Sequence, residues 1–165
     1  RLGAKVPLFC QSADLAVSEI APGLGHSDRL VGFDGLFLTE GAVATLVAGP
    51  GLAGDVRGRA EAVFRSLGRE PIWIAESPGL VLPRIVSMLA NEAAFAAAEG
   101  VAGPETIDLA MKLGTNYPHG PLEWGEAIGW NRVLGVLEHL SRETGEERYR
   151  AAPWLRRKAR GGAPR

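Results

Sequence analysis

Residues 108–121, in the second half of the chain, read DLAMKLGTNYPHGP. An apolar run at helical spacing ends at Gly114, and Pro121 opens a second helical pattern. Two prolines and a glycine stiffen the connection between them. Because proline fixes φ and is favoured at the first helical position, the stretch predicts a rigid corner between two helices.

Helical periodicity extends from this corner in both directions. Upstream, residues 79–99 form a long run with an alanine-rich middle, which favours a helix. Downstream, apolar residues recur three and four positions apart from Trp130 to Leu140, and a short basic helix follows Pro153. We therefore predict an all-α domain over residues 79–160, followed by a tail at 161–165.

The first 78 residues follow a different pattern. Short apolar runs that predict strands occupy residues 5–10, 29–38, 42–48 and 71–75. A short helix after Asp14 and a longer one over residues 52–67 separate them. The order β-α-β-β-α-β predicts part of an α/β sheet over residues 1–78.

Composition excludes several classes of protein. The 165 residues include 19 acidic and 18 basic side chains, so the net charge of −1 argues against a nucleic-acid-binding protein. An apolar run of about 18 residues, the length of a membrane-spanning helix, is absent from the sequence. The single cysteine, Cys10, cannot form an internal disulfide, which fits a reducing cytoplasm.

The chain begins Arg1-Leu2-Gly3 rather than with methionine. The charged and apolar segments of a secretory signal are not recognisable at this end. We interpret the start as that of a trimmed chain, a proteolysed chain or a fragment of a longer enzyme. The encoded residues ahead of Arg1 distinguish these alternatives.

The corner itself offers the densest set of candidate functional residues. Tyr117, His119 and Trp124 provide stacking faces and hydrogen-bond donors, and the helix that starts at Pro121 favours an anion at its N-terminus. We take Asn116, Tyr117 and His119 as candidate substrate-binding residues. The alternative is a purely structural corner whose aromatic side chains pack on one another.

Asp34 is the second candidate, because it is a carboxylate in an apolar strand. Such a group must reach solvent, find a partner or change its pKa. It is either a weak catalytic candidate or an ordinary aspartate at the end of a strand.

Other polar residues are expected to be structural. The three histidines stand far apart in the sequence, which predicts no metal site, and His139 beside Glu138 is expected on the solvent face of its helix. Ser77 is expected in a hinge or as the cap of the long helix. Arg156-Arg157-Lys158 is typical of a solvated helix end.

Several motifs together resemble one family. The stretch 108–121 and the junction Ser77-Pro78-Gly79-Leu80-Val81 resemble the C-terminal helical domain of 3-hydroxyacyl-CoA dehydrogenases, as do Asn91-Glu92-Ala93 and residues 148–156. Residues 18–21 and 29–32 resemble the second half of the NAD-binding domain of that family. The likeness covers nearly the whole chain and is greatest to the second, C-terminal module of the two-module dehydrogenases of phenylacetate degradation.

The resemblance implies a fold and a reaction. The fold is a partial Rossmann-like α/β sheet followed by the all-α C-terminal helical domain of this family. The reaction is the NAD-dependent oxidation of a 3-hydroxyacyl-CoA to a 3-oxoacyl-CoA, in which a histidine backed by a carboxylate accepts the hydroxyl proton.

The positions that the resemblance assigns to catalysis carry other residues here. The histidine of the family corresponds to Asp34 and its asparagine to Pro83, whereas its serine falls on Ala13 or Asp14 and its glutamate near residues 46–48. An aspartate of ordinary pKa is a weak base, so Asp34 is a poor substitute. The dinucleotide loop of the family corresponds to a segment ahead of Arg1, and we expect no Gly-x-Gly-x-x-Gly loop and no cofactor-binding residue among these 165.

Two functional hypotheses remain open. In the first, the chain is a dehydrogenase-derived module that contributes to an acyl-CoA site and to a homodimer, or to a contact with a dehydrogenase partner chain, without being competent alone. In the second, it is a stand-alone, non-catalytic acyl-CoA-binding or assembly protein. The alanine-rich face of residues 91–98 and the region of Trp124 and Trp130 are the candidate contact surfaces.

Overall fold

A computed structural model describes residues 6–36 and 42–161 of the chain. The chain divides into two compact units, one up to Leu82 and one from Pro83 onward. The predicted strand at 5–10, the predicted strand at 29–38 and the predicted tail at 161–165 extend partly outside the described residues.

The first unit contains the predicted mixed sheet. Its strands are β1 (Leu8–Gln11), β2 (Leu30–Phe33), β3 (Val43–Ala48) and β4 (Glu70–Ile74). They lie in the order β1-β2-β3-β4, with β1 parallel to β2, β2 antiparallel to β3, and β3 parallel to β4. The expected partial α/β sheet is therefore confirmed, with shorter strands than the apolar runs suggest.

Two helices of the first unit supply the layers on the sheet: α1 (Val17–Ile20) and α2 (Gly54–Ser66). Because neighbouring residues of a strand face opposite sides, Leu30 and Val47 join one apolar cluster with Val17 of α1. Residues on the other side pack with Ala60 and Phe64 of α2. Apolar side chains alternate between the two faces along the strands, so one face packs against α1 and the other against α2.

The second unit is entirely helical in its regular elements, as predicted. Its helices are α3 (Leu82–Ala98), α4 (Pro104–Thr115), α5 (Pro121–Ile128), α6 (Trp130–Thr144) and α7 (Pro153–Ala159). Proline stands at the start of α4, α5 and α7, where its missing N–H costs no helical hydrogen bond. None of the described helices is long and apolar enough to cross a bilayer.

The start of α3 differs from the prediction. Gly79 and Leu80 both have left-handed backbone conformations, with φ of 73° and 50°, so the chain does not turn helical until Leu82. Leu80 is 4% exposed and joins the apolar cluster of β2 and β3. Ser77 lies five residues before the helix and is not its cap, whereas its carbonyl accepts a hydrogen bond from Leu80 N at 3.0 Å.

The prediction that His139 lies on the solvent face is wrong, because its side chain is only 1% exposed. The buried arc of α6 is wider than the seam predicted from the sequence, since Val136 is also buried and extends it toward His139. The ring Nδ1 lies 2.6 Å from an Arg142 guanidinium nitrogen. Because a guanidinium only donates, Nδ1 is the accepting nitrogen of this contact.

The two contact surfaces proposed from the sequence also need correction. Trp130 is 5% exposed and its ring meets the Trp154 ring edge-on at 5.1 Å, so it belongs to the core. Gly125 makes this packing possible, because a Cβ there would collide with the Trp130 ring. Asn91 and Ala94 are likewise buried, whereas Ala96 and Ala97 are half-buried and Ala98 is exposed, so the alanine-rich face is accessible only in part.

Two glycine-to-alanine variants, one at a packed and one at an open position, test the packing between β2 and α1. A Cβ on Gly32 would collide with Val17 Cγ2 and lie 2.6 Å from Ser12 Oγ, whereas a Cβ on Gly58 in α2 would meet open space. We expect Gly32→Ala to lower the free energy of unfolding by about 1–3 kcal/mol through overpacking. Gly58→Ala, as the control, should raise it by up to about 1 kcal/mol through helix propensity. Urea unfolding checks both, and equal effects of the two variants would contradict the predicted packing.

Candidate functional site

The loop between α4 and α5 carries the three substrate-binding candidates. Asn116 ends α4 in the left-handed conformation, with φ of 56°, which asparagine tolerates better than most residues. Gly120 is the N-cap of α5, and its backbone is extended. We call residues 115–120, from the last residue of α4 to the N-cap of α5, the corner loop.

Aromatic side chains of the corner loop gather around Trp124. The centre of the Tyr117 ring lies 5.4 Å from that of Trp124, and the centre of the His119 ring lies 6.2 Å from it. His119 is exposed, whereas Tyr117 and Trp124 are half-buried. The structure therefore brings two of the three candidates together around one ring, at the surface. Asn116, the third, is exposed at the end of α4.

The beginning of α5 is held by a carboxylate from another helix. Asp108 of α4 accepts hydrogen bonds from Leu122 N at 2.8 Å and from Glu123 N at 3.1 Å, one on each carboxylate oxygen. These are the N–H groups that an N-cap side chain normally satisfies, and the N-cap here is Gly120, which has none. Asp108 therefore replaces the missing cap and ties α4 to α5.

Burial makes this carboxylate unusual. Asp108 is 7% exposed. Burial raises its pKa above the ordinary aspartate value, because removal from water disfavours the charged form more than the two backbone N–H groups favour it. The tie between the helices is thus made by a carboxylate that is held in a partly unfavourable environment.

A second, exposed carboxylate braces the same loop. Glu123 accepts a hydrogen bond from Gly120 N at 2.9 Å and one from Lys112 Nζ at 2.5 Å. The Lys112 ammonium, and next to it the Gly120 N–H, hold the pKa of Glu123 below its ordinary value. Two acidic residues therefore connect α4 to the start of α5, and their pKa values move in opposite directions.

A groove of about 710 Å³ opens beside these contacts, between α4, α5 and α7. Its apolar lining includes Leu109, Leu122 and Trp154. Its cations are already compensated by the pairs Lys112–Glu123 and Lys158–Glu126. The lining therefore offers an apolar surface rather than free positive charge.

The first unit holds Asp34, the weak catalytic candidate. It directly follows β2 and is 5% exposed. Its Oδ1 accepts a hydrogen bond from Leu36 N at 3.0 Å, and its own N–H bonds to Thr45 O at 3.2 Å. This is the arrangement of an aspartate that closes a turn at a strand end.

The other positions that the resemblance assigns to catalysis are placed as follows. Ala13 is fully buried and Asp14 is exposed, both in the bend after β1. Leu46 lies opposite Phe33 in the pairing of β3 with β2, and its side chain is buried in the core beneath α2. Pro83 is the second residue of α3 and is buried. Neither alanine, leucine nor proline has a side-chain group that can move a proton.

The expectation that the chain has no Gly-x-Gly-x-x-Gly pattern is wrong, because residues 49–54 read GPGLAG between β3 and α2. Gly49 packs tightly, since a Cβ there would lie 2.7 Å from Leu30 O, but a Cβ on Gly54 would meet open space. Asp55 occupies the first turn of α2, where a phosphate would have to sit. Glu76, the acidic residue after β4, already accepts a hydrogen bond from Ser18 N at 2.9 Å. These residues do not fit a dinucleotide.

Asn91 is a structural residue whose role the sequence did not reveal. It is 2% exposed, donates to Arg150 O at 2.9 Å and accepts from Ala152 N at 2.8 Å. It thereby fixes the segment that leads into α7. A single amide within a buried, alanine-rich helix was the available signal, because a buried amide must be hydrogen-bonded.

Comparison with known proteins identifies the family of the fold. The model of the family described as "3-hydroxyacyl-CoA dehydrogenase, C-terminal domain" matches residues 79–164. The chain is 42% identical over 119 residues to 3-hydroxyadipyl-CoA dehydrogenase of Escherichia coli K12, which covers 72% of this chain and 25% of that protein. It is 35% identical over 158 residues to 3-hydroxybutyryl-CoA dehydrogenase of Clostridioides difficile, which covers 93% of this chain and 55% of that protein.

A solved structure agrees with these matches. The crystal structure of (S)-3-hydroxybutyryl-CoA dehydrogenase from Ralstonia eutropha superposes with a TM-score of 0.82 at 32% identity, over 96% of this chain and 56% of that one. The chain thus spans between a quarter and just over half of the length of these relatives. The likeness extends over both units.

The two loop carboxylates predict opposite effects of pH. A raised folded-state pKa means that Asp108 contributes most to stability below its ordinary pKa and loses this contribution as pH rises through the folded value. Glu123, whose pKa is lowered, contributes above its ordinary pKa and loses this as pH falls through the folded value. The free energy of unfolding is measured with urea across the acidic pH range. The difference between the wild type and Asp108→Asn should decrease as pH rises. The difference between the wild type and Glu123→Gln should increase as pH rises. Slopes of the same sign would contradict these placements.

Proposed function

We propose a role for this chain on the basis of its family. The chain belongs to the 3-hydroxyacyl-CoA dehydrogenases. The chain acts as a module that helps to form an acyl-CoA site and an intersubunit contact, and it is not competent for hydride transfer alone. The family reaction is the NAD-dependent oxidation of a 3-hydroxyacyl-CoA to a 3-oxoacyl-CoA. The observation that carries the proposal is the buried Asp34, whose carboxylate closes a turn where the family has its histidine.

The chemistry of proton removal supports the lack of competence. Oxidation of the 3-hydroxyl group requires a base within hydrogen-bond reach of that hydroxyl, and such a base contributes about 10²–10⁴-fold to rate. The Oδ1 atom of Asp34 already accepts a hydrogen bond from Leu36 N. Leu46 and Pro83 have no acid–base group, so the histidine, glutamate and asparagine positions of the family cannot together perform this step.

The cofactor requirement supports the same conclusion. NAD, when bound in this family, accepts the hydride. The turn over residues 49–54 matches the glycine spacing of a dinucleotide loop, but the acidic Asp55 lies in the first turn of the following helix, where it would repel a phosphate. A Cβ on Gly54 would meet open space, so close packing does not require a glycine there. We therefore assign no cofactor-binding residue to this chain.

The corner loop supports the acyl-CoA role. Tyr117, His119 and Trp124 form an aromatic surface that suits a planar group such as the adenine of CoA, and the exposed amide of Asn116 suits a carbonyl. Each aromatic ring that stacks on a base is worth about 1–3 kcal/mol. We propose that Asn116, Tyr117 and His119 contact the CoA ester.

Exposed apolar side chains support the intersubunit role. On α4, Leu109 is 54% exposed and Leu113 is 78% exposed, four residues apart on one face. Among the described strands, β1 and β4 are the edges of the sheet. We propose that a second copy of the chain or a dehydrogenase partner chain covers these surfaces. We further propose that the protein acts in the cytoplasm, in the degradation of phenylacetate. A stand-alone acyl-CoA-binding or assembly protein is the alternative.

Ligand binding by the purified chain tests the proposal. We expect acetoacetyl-CoA to raise the melting temperature and to bind in calorimetry, and NADH to do neither. Tyr117→Ala should weaken acetoacetyl-CoA binding by about tenfold, which corresponds to one lost stacking contact. Tyr117→Phe is the matched control, because it keeps the ring and should bind within about twofold of the wild type.

The outcomes separate the hypotheses. Binding of neither ligand contradicts the acyl-CoA role and favours an assembly protein. Binding of NADH contradicts the absence of a cofactor site. Equal affinity of Tyr117→Ala and the wild type would show that the CoA ester binds away from the corner loop.

A further inference from the structure

We propose that Asp108 is a positioning residue for the CoA ester, a role that rests on the proposed function of the corner loop. It acts by fixing the start of α5 and with it the ring of Trp124. It need not touch the ligand, because its two carboxylate oxygens are already occupied by Leu122 N and Glu123 N.

The N-cap residue of α5 has no side chain that could cap the helix. A serine or asparagine at residue 120 would cap α5 from within its own segment, and such caps are the commonest in proteins. Here Gly120 takes that position, and a Cβ on it would collide with Cβ, Cγ and Oδ1 of Asp108. The capping group therefore comes from α4, and the cap fixes the position of one helix relative to the other.

The buried cap carries an energetic cost. A buried carboxylate with a raised pKa is an inefficient way to stabilise a helix end, because desolvation offsets much of the hydrogen-bond energy. An exposed cap would serve helix stability alone at least as well. What the buried tie adds is a fixed distance across the corner loop.

The contact of Asp108 lies next to the aromatic side chains around the corner loop. The corner loop runs between Asn116, which ends α4, and Gly120, which abuts Asp108. Tyr117 and His119 lie between these two residues and pack around the ring of Trp124. Trp124 lies one helical turn into α5, and its backbone N–H donates to Gly120 O at 3.0 Å. A shift of the start of α5 thus moves all three rings together.

The exposed ion pair of Lys112 and Glu123 does not fix the start of α5 as firmly as Asp108 does. Glu123 and Lys112 are 43% and 32% exposed, so their pair is screened by solvent. The geometry of the loop therefore depends chiefly on the buried contact of Asp108.

The experiment measures acetoacetyl-CoA affinity and melting temperature in the same proteins. Asp108→Asn keeps the size of the side chain but replaces one accepting oxygen by a donor, so one of the two N–H bonds is lost. We expect the Kd to rise about tenfold, since misplacement of binding groups by a fraction of an ångström is costly. Val133→Ala, in the buried seam of α6, is the control: it should lower the melting temperature at least as much and leave the Kd within about twofold.

Each outcome decides the proposal. A wild-type Kd in Asp108→Asn, or an equal loss of affinity in Val133→Ala, overturns it, because the role of Asp108 would then be stability alone. No binding by the wild type overturns the proposed function itself, which is a different result. If Asp108→Asn does not fold, Gly120→Ala tests the same contact from the loop side, and a wild-type Kd in that variant overturns the proposal.

Discussion

The helical unit depends on a carboxylate that leaves water in order to hold a helix end. Asp108 gives up most of its hydration, which raises its pKa, and in return satisfies two N–H groups that the glycine N-cap of α5 leaves open. Hydrogen bonds to an ionised carboxylate are about twice as strong as neutral ones, but desolvation offsets much of this gain. The tie joins residues 14 and 15 positions apart, so it sets the geometry of the corner loop between them.

The chain has the fold of its family, whereas the positions to which the sequence resemblance assigns catalysis carry other side chains. In the mixed sheet, β1 pairs parallel and β3 pairs antiparallel with β2, and a polar residue directly follows β2. That residue is Asp34, whose carboxylate is engaged by the backbone of its own turn. A shared fold does not by itself show a shared activity, because a fold supplies positions and side chains supply reactivity.

The sequence predicted what depends on local pattern and failed where contacts are long-range. Periodicity and proline positions predicted the helices of the second unit, and alternation of turn residues and apolar runs predicted four strands. Asp108 lies within the motif of residues 108–121, yet its partners lie in the next helix and leave no local signal. The predicted exposure of His139 and Trp130 is wrong for a related reason: the buried side of a helix, and its width, depend on neighbours that the sequence does not reveal. The glycine spacing at 49–54 is present although no such loop was expected, and its surroundings, not its spacing, argue against a phosphate site.

We propose that this polypeptide contributes to a thioester-binding site without carrying out the oxidation of the ligand. To test this, the purified chain is mixed with NAD and (S)-3-hydroxybutyryl-CoA, and the absorbance of NADH is followed. We expect no NADH formation above the rate without protein. Sustained formation of NADH in proportion to protein concentration, abolished by Asp34→Asn, would contradict it.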